Sequence, residues 1–301
     1  MTASRVLRRS WLRTFTYGLG LYAVLTLATA ATENVHLVPS VLMLGALLVP
    51  VTFVVYVFER LPVGAELVPS LATCFVVGGL LGTAAAAVVE YETRVDLGAL
   101  PILAVALIEE SAKLAIPLVL FFRRRFLAPS AGLLFGVAAG MGFASFESMG
   151  YGLAELISSR GELGPTEMVL AIRGVLSPAG HAAWTGLICA ALWRARADGA
   201  RRGSWRLVPA AFGVAVLLHT LWDATDNDAV HAGVAVVSIV LLATQLRSAR
   251  RGSRRAAEFT APSTAREGPE RVAPRATTKR GPAETIKGVL RVHPSPESDG
   301  P

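Results

Sequence analysis

Charge is scarce in this sequence. Charged residues make up 17% of its 301 positions, against about 25% in ordinary soluble domains. So few charges cannot clothe a water-facing surface, and they are gathered in short clusters between long apolar runs. Cysteine is nearly absent. Cys74 and Cys189 both fall inside apolar runs, where they behave as small hydrophobes. They match no metal-ligand spacing and provide no disulfide framework. A His-Glu-x-x-His helix is also missing, which excludes the ordinary zincin arrangement. The net charge of +7 raises the question of nucleic acid, but most arginines flank apolar runs, where a membrane surface accounts for them. No nucleic-acid partner is expected. Nor is a cleavable signal peptide, because the first apolar run is long and more spans follow it.

The sequence is rich instead in apolar runs, which supply 53% apolar residues and a positive mean hydropathy. Broken by charge, Pro or Gly, they give eight candidate spans: 14–32, 38–58, 68–90, 97–122, 129–155, 167–193, 206–226 and 230–246. A spanning helix needs roughly 20 residues. The expected fold is therefore all-α, a polytopic membrane helical bundle of about eight transmembrane helices. Residues 1–96 hold the first three spans, 97–226 a core of spans four to seven, and 227–246 the eighth. From 247 to 301 the composition turns to Arg, Pro, Ser, Thr and Glu, which predicts a disordered basic tail.

The arginines orient this bundle. Arg5, Arg8, Arg9, Arg13, Arg60, Arg123, Arg124, Arg125, the group from Arg194 to Arg206 and the group from Arg247 to Arg255 all fall on one side of eight spans. Only Arg94 and Arg160 fall on the other. The positive-inside rule then predicts a multi-pass cell-membrane protein with both termini in the cytoplasm. Trp11, Tyr91, Tyr151, Trp193 and Trp205 lie near span ends and read as interfacial anchors. Asp226, Asp228 and His231 read as solvated at the outer interface.

Against this background the stretch from Leu107 to Leu114, Leu-Ile-Glu-Glu-Ser-Ala-Lys-Leu, is anomalous. Ionisable groups at mid-membrane are costly and point to function. At ~1.5 Å per residue, Glu109 and Glu110 in span four, His181 in span six and His219 in span seven all lie roughly 20 Å from the cytoplasmic ends. Asp223 is one turn above His219, and in span five Phe143 lies at roughly 21 Å and Glu147 at roughly 27 Å, further into the outer leaflet. Glu109 and Lys113 are i, i+4, so Lys113 is expected to neutralise Glu109 and leave Glu110 free. Arg173 is a candidate partner for Glu147. Pro178, three residues before His181, is expected to kink span six.

Two histidines and several carboxylates in a dry bundle suit two chemistries. His181 and His219, with Glu147 and Asp223, could bind Zn²⁺ and leave a position for water. Alternatively Glu109 or Glu110 could act as general base while the histidines stabilise an oxyanion. Both routes end in peptide hydrolysis at membrane depth, and the sequence does not choose between them. A proton- or cation-coupled transporter is the main competitor, because intramembrane Glu and His also form proton relays. The polar residues cluster in spans four to seven without an internal repeat, which disfavours that reading. A non-enzymatic membrane scaffold is a further alternative, disfavoured by the intact set of carboxylates and histidines.

Glu109-Glu110-Ser-Ala-Lys113, Phe143-Ala-Ser-Phe-Glu147, His181 and His219-Thr-Leu-Trp-Asp223, in this order, resemble the motifs of the PrsW intramembrane proteases. That family is grouped with the CAAX-processing and bacteriocin-processing membrane proteases. Glu147 stands where the CAAX branch tends to carry Asn, which places the chain on the PrsW side. The resemblance covers about 97 to 226. It implies an intramembrane endopeptidase, of glutamate or metal type, that cuts a membrane-anchored substrate such as an anti-sigma factor near the outer face. Glu109, Glu110, His181 and His219 would be catalytic, with Lys113, Phe143, Glu147 and Asp223 in support.

Overall fold

The structure is a computed structural model that describes residues 9–97, 101–199 and 202–260, without the side chains of 94–97, 202–203 and 252–260. Every regular element among the described residues is helical. The chain begins with α1 (Ser10–Thr32) and α2 (Val38–Arg60). The third passage is continuous but changes pitch: α3 (Val68–Ala72) widens into a π-helical stretch over Thr73–Gly78 and returns to α4 (Gly79–Leu97). The later helices are α5 (Ile102–Lys113), α6 (Ala115–Arg123), α7 (Pro129–Ser158), α8 (Leu163–Leu176) and α9 (His181–Ala197). A short α10 (Arg202–Trp205), α11 (Leu207–Asp223) and α12 (Asp228–Thr260) complete the described chain.

The expectation of an all-α polytopic bundle is borne out. Six helical passages are long and apolar enough to cross a membrane: Ser10–Thr32, Val35–Arg60, Ala65–Thr93, Pro129–Ser158, Leu163–Ala197 and Asp228–Arg251. The other two expected spans have different forms. The fourth is divided between α5 and α6, which meet at Leu114. Pro117 explains the break, since its ring clashes with the carbonyl four residues back, that of Lys113. The seventh, α11, is a shorter apolar helix of 17 residues. At the far end of the chain, helix continues past 246 to Thr260, so the expected start of a disordered tail at 247 does not hold. Residues 261–301 lie outside the described residues.

The bundle is built around α7, whose residues from Ser130 to Ser145 are buried without interruption. Small side chains make this possible. A Cβ at Gly140 would stand 2.2 Å from the His181 carbonyl oxygen, and one at Gly142 only 2.0 Å from that of Phe75. Glycine at these two positions lets α7 touch the backbone of α9 on one side and the π-helical stretch on the other. α9 in turn packs on α11, and α4 and α11 both pack on α5.

One end of the bundle is tied by arginines. Arg196 donates to the carbonyl oxygens of Phe121 (2.6 Å) and Phe126 (2.9 Å), and Arg250 donates to that of Arg60 (2.7 Å). Trp193, expected as an interfacial anchor, is instead fully buried, with its indole N–H on the Phe126 carbonyl at 2.7 Å. Its ring occupies the space that Gly132 leaves open on α7, a packing partner invisible in one-dimensional order.

Candidate active site

The α5 helix carries Glu109, Glu110 and Lys113 on adjoining turns, all buried. The Lys113 ammonium lies 3.0 Å from Glu109 Oε2 and 2.8 Å from Glu110 Oε1. Its third contact is the face of Phe143 on α7, with Nζ 4.2 Å from the ring centroid, a cation–π arrangement. The expectation that Lys113 would leave Glu110 free is therefore corrected. The ammonium sits between the two carboxylates and bonds both, because i+3 and i+4 neighbours lie on either side of one face.

His219 on α11 reaches the same carboxylates from the opposite direction. Its Nδ1 is 3.0 Å from Glu110 Oε1, and its Nε2 is 3.2 Å from Asp223 Oδ2 and 3.6 Å from Glu109 Oε2. The His219 ring stacks on Trp184 of α9, with centroids 4.8 Å apart and an interplanar angle of 24°. Trp184 is fixed in turn by a 2.9 Å hydrogen bond from its indole N–H to Ser238 on α12.

His181 is placed by the expected break in span six. α8 stops at Leu176, a single 3₁₀ turn covers Ser177–Ala179, and the helix restarts at His181 after Gly180. Pro178 lies in that turn, where its missing N–H and fixed φ are tolerated. His181 Nε2 comes within 3.3 Å of Glu147 Oε2, and the same oxygen lies 2.8 Å from Arg173 Nη2. Arg173 also donates from Nε to Ser148 (3.1 Å) and lies over the Tyr151 ring at 3.8 Å. The His181 and His219 rings are 5.9 Å apart, centroid to centroid. His181 Nδ1 is buried without a hydrogen-bond partner among the described residues.

These side chains surround a cavity of about 390 Å³. Glu109, Glu147, His181, His219 and Asp223 line it, while Glu110, Lys113 and Phe143 stand behind and brace those in front. Of the adjacent glutamates, it is thus Glu109 that reaches the cavity. Glu90, Trp184 and Trp222 are among the lining residues that carried no functional expectation. Glu90 had a readable signal, since a carboxylate closing an apolar run lies at bilayer depth if the helix continues, as α4 does. Two others change role. Tyr151, expected as an anchor, lines the cavity under Arg173. His231, expected to be solvated, lines it too, with Nε2 2.9 Å from the Trp222 carbonyl oxygen and its ring 4.6 Å from the Trp222 ring.

By donor type the set fits a zinc ion: two imidazoles and neighbouring carboxylates, with the unpartnered His181 Nδ1 as a further available nitrogen. Among the described residues, no three His, Cys, Asp or Glu side chains are already gathered closely enough to hold an ion together.

Residues 66–246 match the PrsW family, described as intramembrane metalloproteases. The match starts ahead of the 97–226 expected from the motifs, so the third passage, with the π-helical stretch and Glu90, belongs to the family region. No curated relative and no solved structure matches the chain. A match over this much of the sequence, around a polar cavity inside an apolar bundle, is decisive: the chain belongs to the PrsW family of intramembrane proteases.

Proposed function

We propose that this membrane protease cuts its membrane-anchored substrate in the cavity between α5, α7, α9 and α11, with Glu109 as the general base. The observation that carries this reading is the union of Glu109, His181 and His219, from three separate helices, around one cavity. Lys113 and Glu110 behind them fix the orientation of the reactive groups.

The chemistry follows from what each group offers. Glu109 takes a proton from water as the oxygen adds to the scissile carbonyl carbon, a role worth about 10²–10⁴-fold. His181 and His219 present ring nitrogens to the oxygen on which charge develops. Collapse of the adduct breaks the C–N bond, and Glu109 returns its proton to the leaving amine. Glu110 holds His219 through Nδ1, while Lys113 keeps Glu109 and Glu110 from repelling one another. Zinc held by His181 and His219, with Glu147 and Asp223, would take up those ring nitrogens and supply Lewis-acid polarisation of the carbonyl in their place.

The substrate class proposed is a single-span regulator of the anti-sigma-factor kind, cut near the outer face. The proposed catalytic residues all lie within 97–226, and the arginine-rich end of the bundle, with both chain termini, faces the cytoplasm. The test is a library of single-span reporters expressed with the chain. Cleavage by wild type that disappears in Glu109→Gln, with the variant still inserted in the membrane, supports the assignment; cleavage retained in Glu109→Gln overturns it.

A further inference from the structure

Four carboxylates line the cavity: Glu90, Glu109, Glu147 and Asp223. Three have a nitrogen partner. Glu109 meets Lys113 at 3.0 Å, Glu147 meets Arg173 at 2.8 Å, and Asp223 meets His219 at 3.2 Å. Glu90, on α4, makes no ion pair or hydrogen bond with any described residue, and its Oε1 is buried. A carboxylate at membrane depth is costly unless something neutralises it. The only lysine or arginine among the described lining residues is Arg173, already committed to Glu147 and Ser148.

We infer that Glu90 receives a Lys or Arg side chain of the membrane-anchored substrate, and so sets a preference for a basic residue close to the scissile bond. The inference rests on the reading that this cavity admits substrate. The rest of the wall suits such a guest. Val105, Ile172, Leu176 and Trp222 offer apolar surface for a methylene stem, with the carboxylate available to the charged head. A neutral substrate would leave the half-buried Glu90 carboxylate unpaired, whereas a basic one supplies the missing charge. Discrimination of this kind comes from the penalty on the wrong partner as much as from attraction to the right one.

The experiment uses the full chain in nanodiscs and fluorescent single-span Leu/Ala peptides. A lysine is walked one position at a time through the outer half, with Gln and Glu peptides as matched controls. Binding is read by energy transfer and cleavage separately by mass spectrometry, so a chain that binds but does not cut fails the hydrolytic reading and not this one. At one or two positions, wild type is expected to bind the Lys peptide about tenfold more tightly than the Gln peptide. Glu90→Gln abolishes that preference, and Glu90→Lys transfers it to the Glu peptide. Arg94, one turn further along α4, is the control: Arg94→Gln keeps the preference for Lys. No preference in wild type at any position, or a preference that survives Glu90→Gln, overturns the proposal.

Discussion

Glu109 and Glu110 share one ammonium, that of Lys113, yet only Glu109 reaches the cavity. Glu110 is sealed at 0% exposure with His219 on its Oε1. Adjacent helical residues point about 100° apart, so one α5 turn can present a reactive carboxylate and hide a structural one.

The two glutamates should therefore fail differently. Glu109→Gln removes the proposed base and is expected to lower cleavage by about 10²–10⁴-fold with the smaller loss of stability, because Lys113 keeps Glu110 and His219 is held elsewhere. Glu110→Gln removes the charge that Lys113 and His219 both face in a dry setting, at a cost of about 3–5 kcal/mol. Thermal unfolding in detergent, run beside the reporter assay, separates them. Equal loss of stability in both variants would contradict the division of roles.

Close helix approach at Gly140 makes a second prediction. Gly140→Ala forces a methyl group against the His181 carbonyl, and overpacking of this kind costs about 1–3 kcal/mol. It should also displace His181 and depress cleavage. Gly150, on the same helix with nothing near its Cβ position, is the control. Gly150→Ala is expected to be neutral or stabilising by up to about 1 kcal/mol. Melting temperatures of the two variants decide the matter.

Metal content is directly measurable. Elemental analysis of purified wild type is expected to show one zinc per chain, and His181→Ala/His219→Ala to lose it. Strong chelation should then abolish reporter cleavage, and zinc restore it. A metal-free chain that cleaves at full rate would assign the whole of water activation to Glu109.

Orientation can be tested by labelling. A cysteine at Arg251 on α12 should react with an impermeant maleimide from the cytoplasmic side only. One at Gly161, in the exposed turn between α7 and α8, should react from outside only. The reverse pattern would invert the topology.

Most of the fold was legible because long apolar runs leave the chain few alternatives to helices across a bilayer. Much of the cavity was legible too, since residues at matched depths in neighbouring spans must come close. Rotation about each helix axis was not legible. Depth fixes one coordinate, and the 100° step per residue amplifies any error in phase. That is why Glu110 looked free when it is the enclosed member of the pair. Trp193 looked like an anchor because it ends a span, whereas the absence of a side chain at Gly132, more than sixty positions earlier, gives it an interior site. His231 was misplaced for a related reason: its partner is the exposed end of α11, and that carbonyl becomes a bonding site only when α12 folds back beside it.

The brevity of α11 bears on how water arrives. With 17 residues the helix is about 25 Å long, some 5 Å short of a typical ~30 Å hydrocarbon layer. Lipid around a segment that short must thin, or head groups and water must descend to meet it. One end of that short segment is Asp223, the partly exposed carboxylate that also borders the cavity. On the proposed reading, a substrate helix arriving there would enter a shallower slab of hydrocarbon, where unwinding a turn and exposing its amides is less costly than at full thickness. In the proposed reaction, hydrophobic mismatch at that end would bring the aqueous reactant and a loosened substrate backbone to the same side of the bundle.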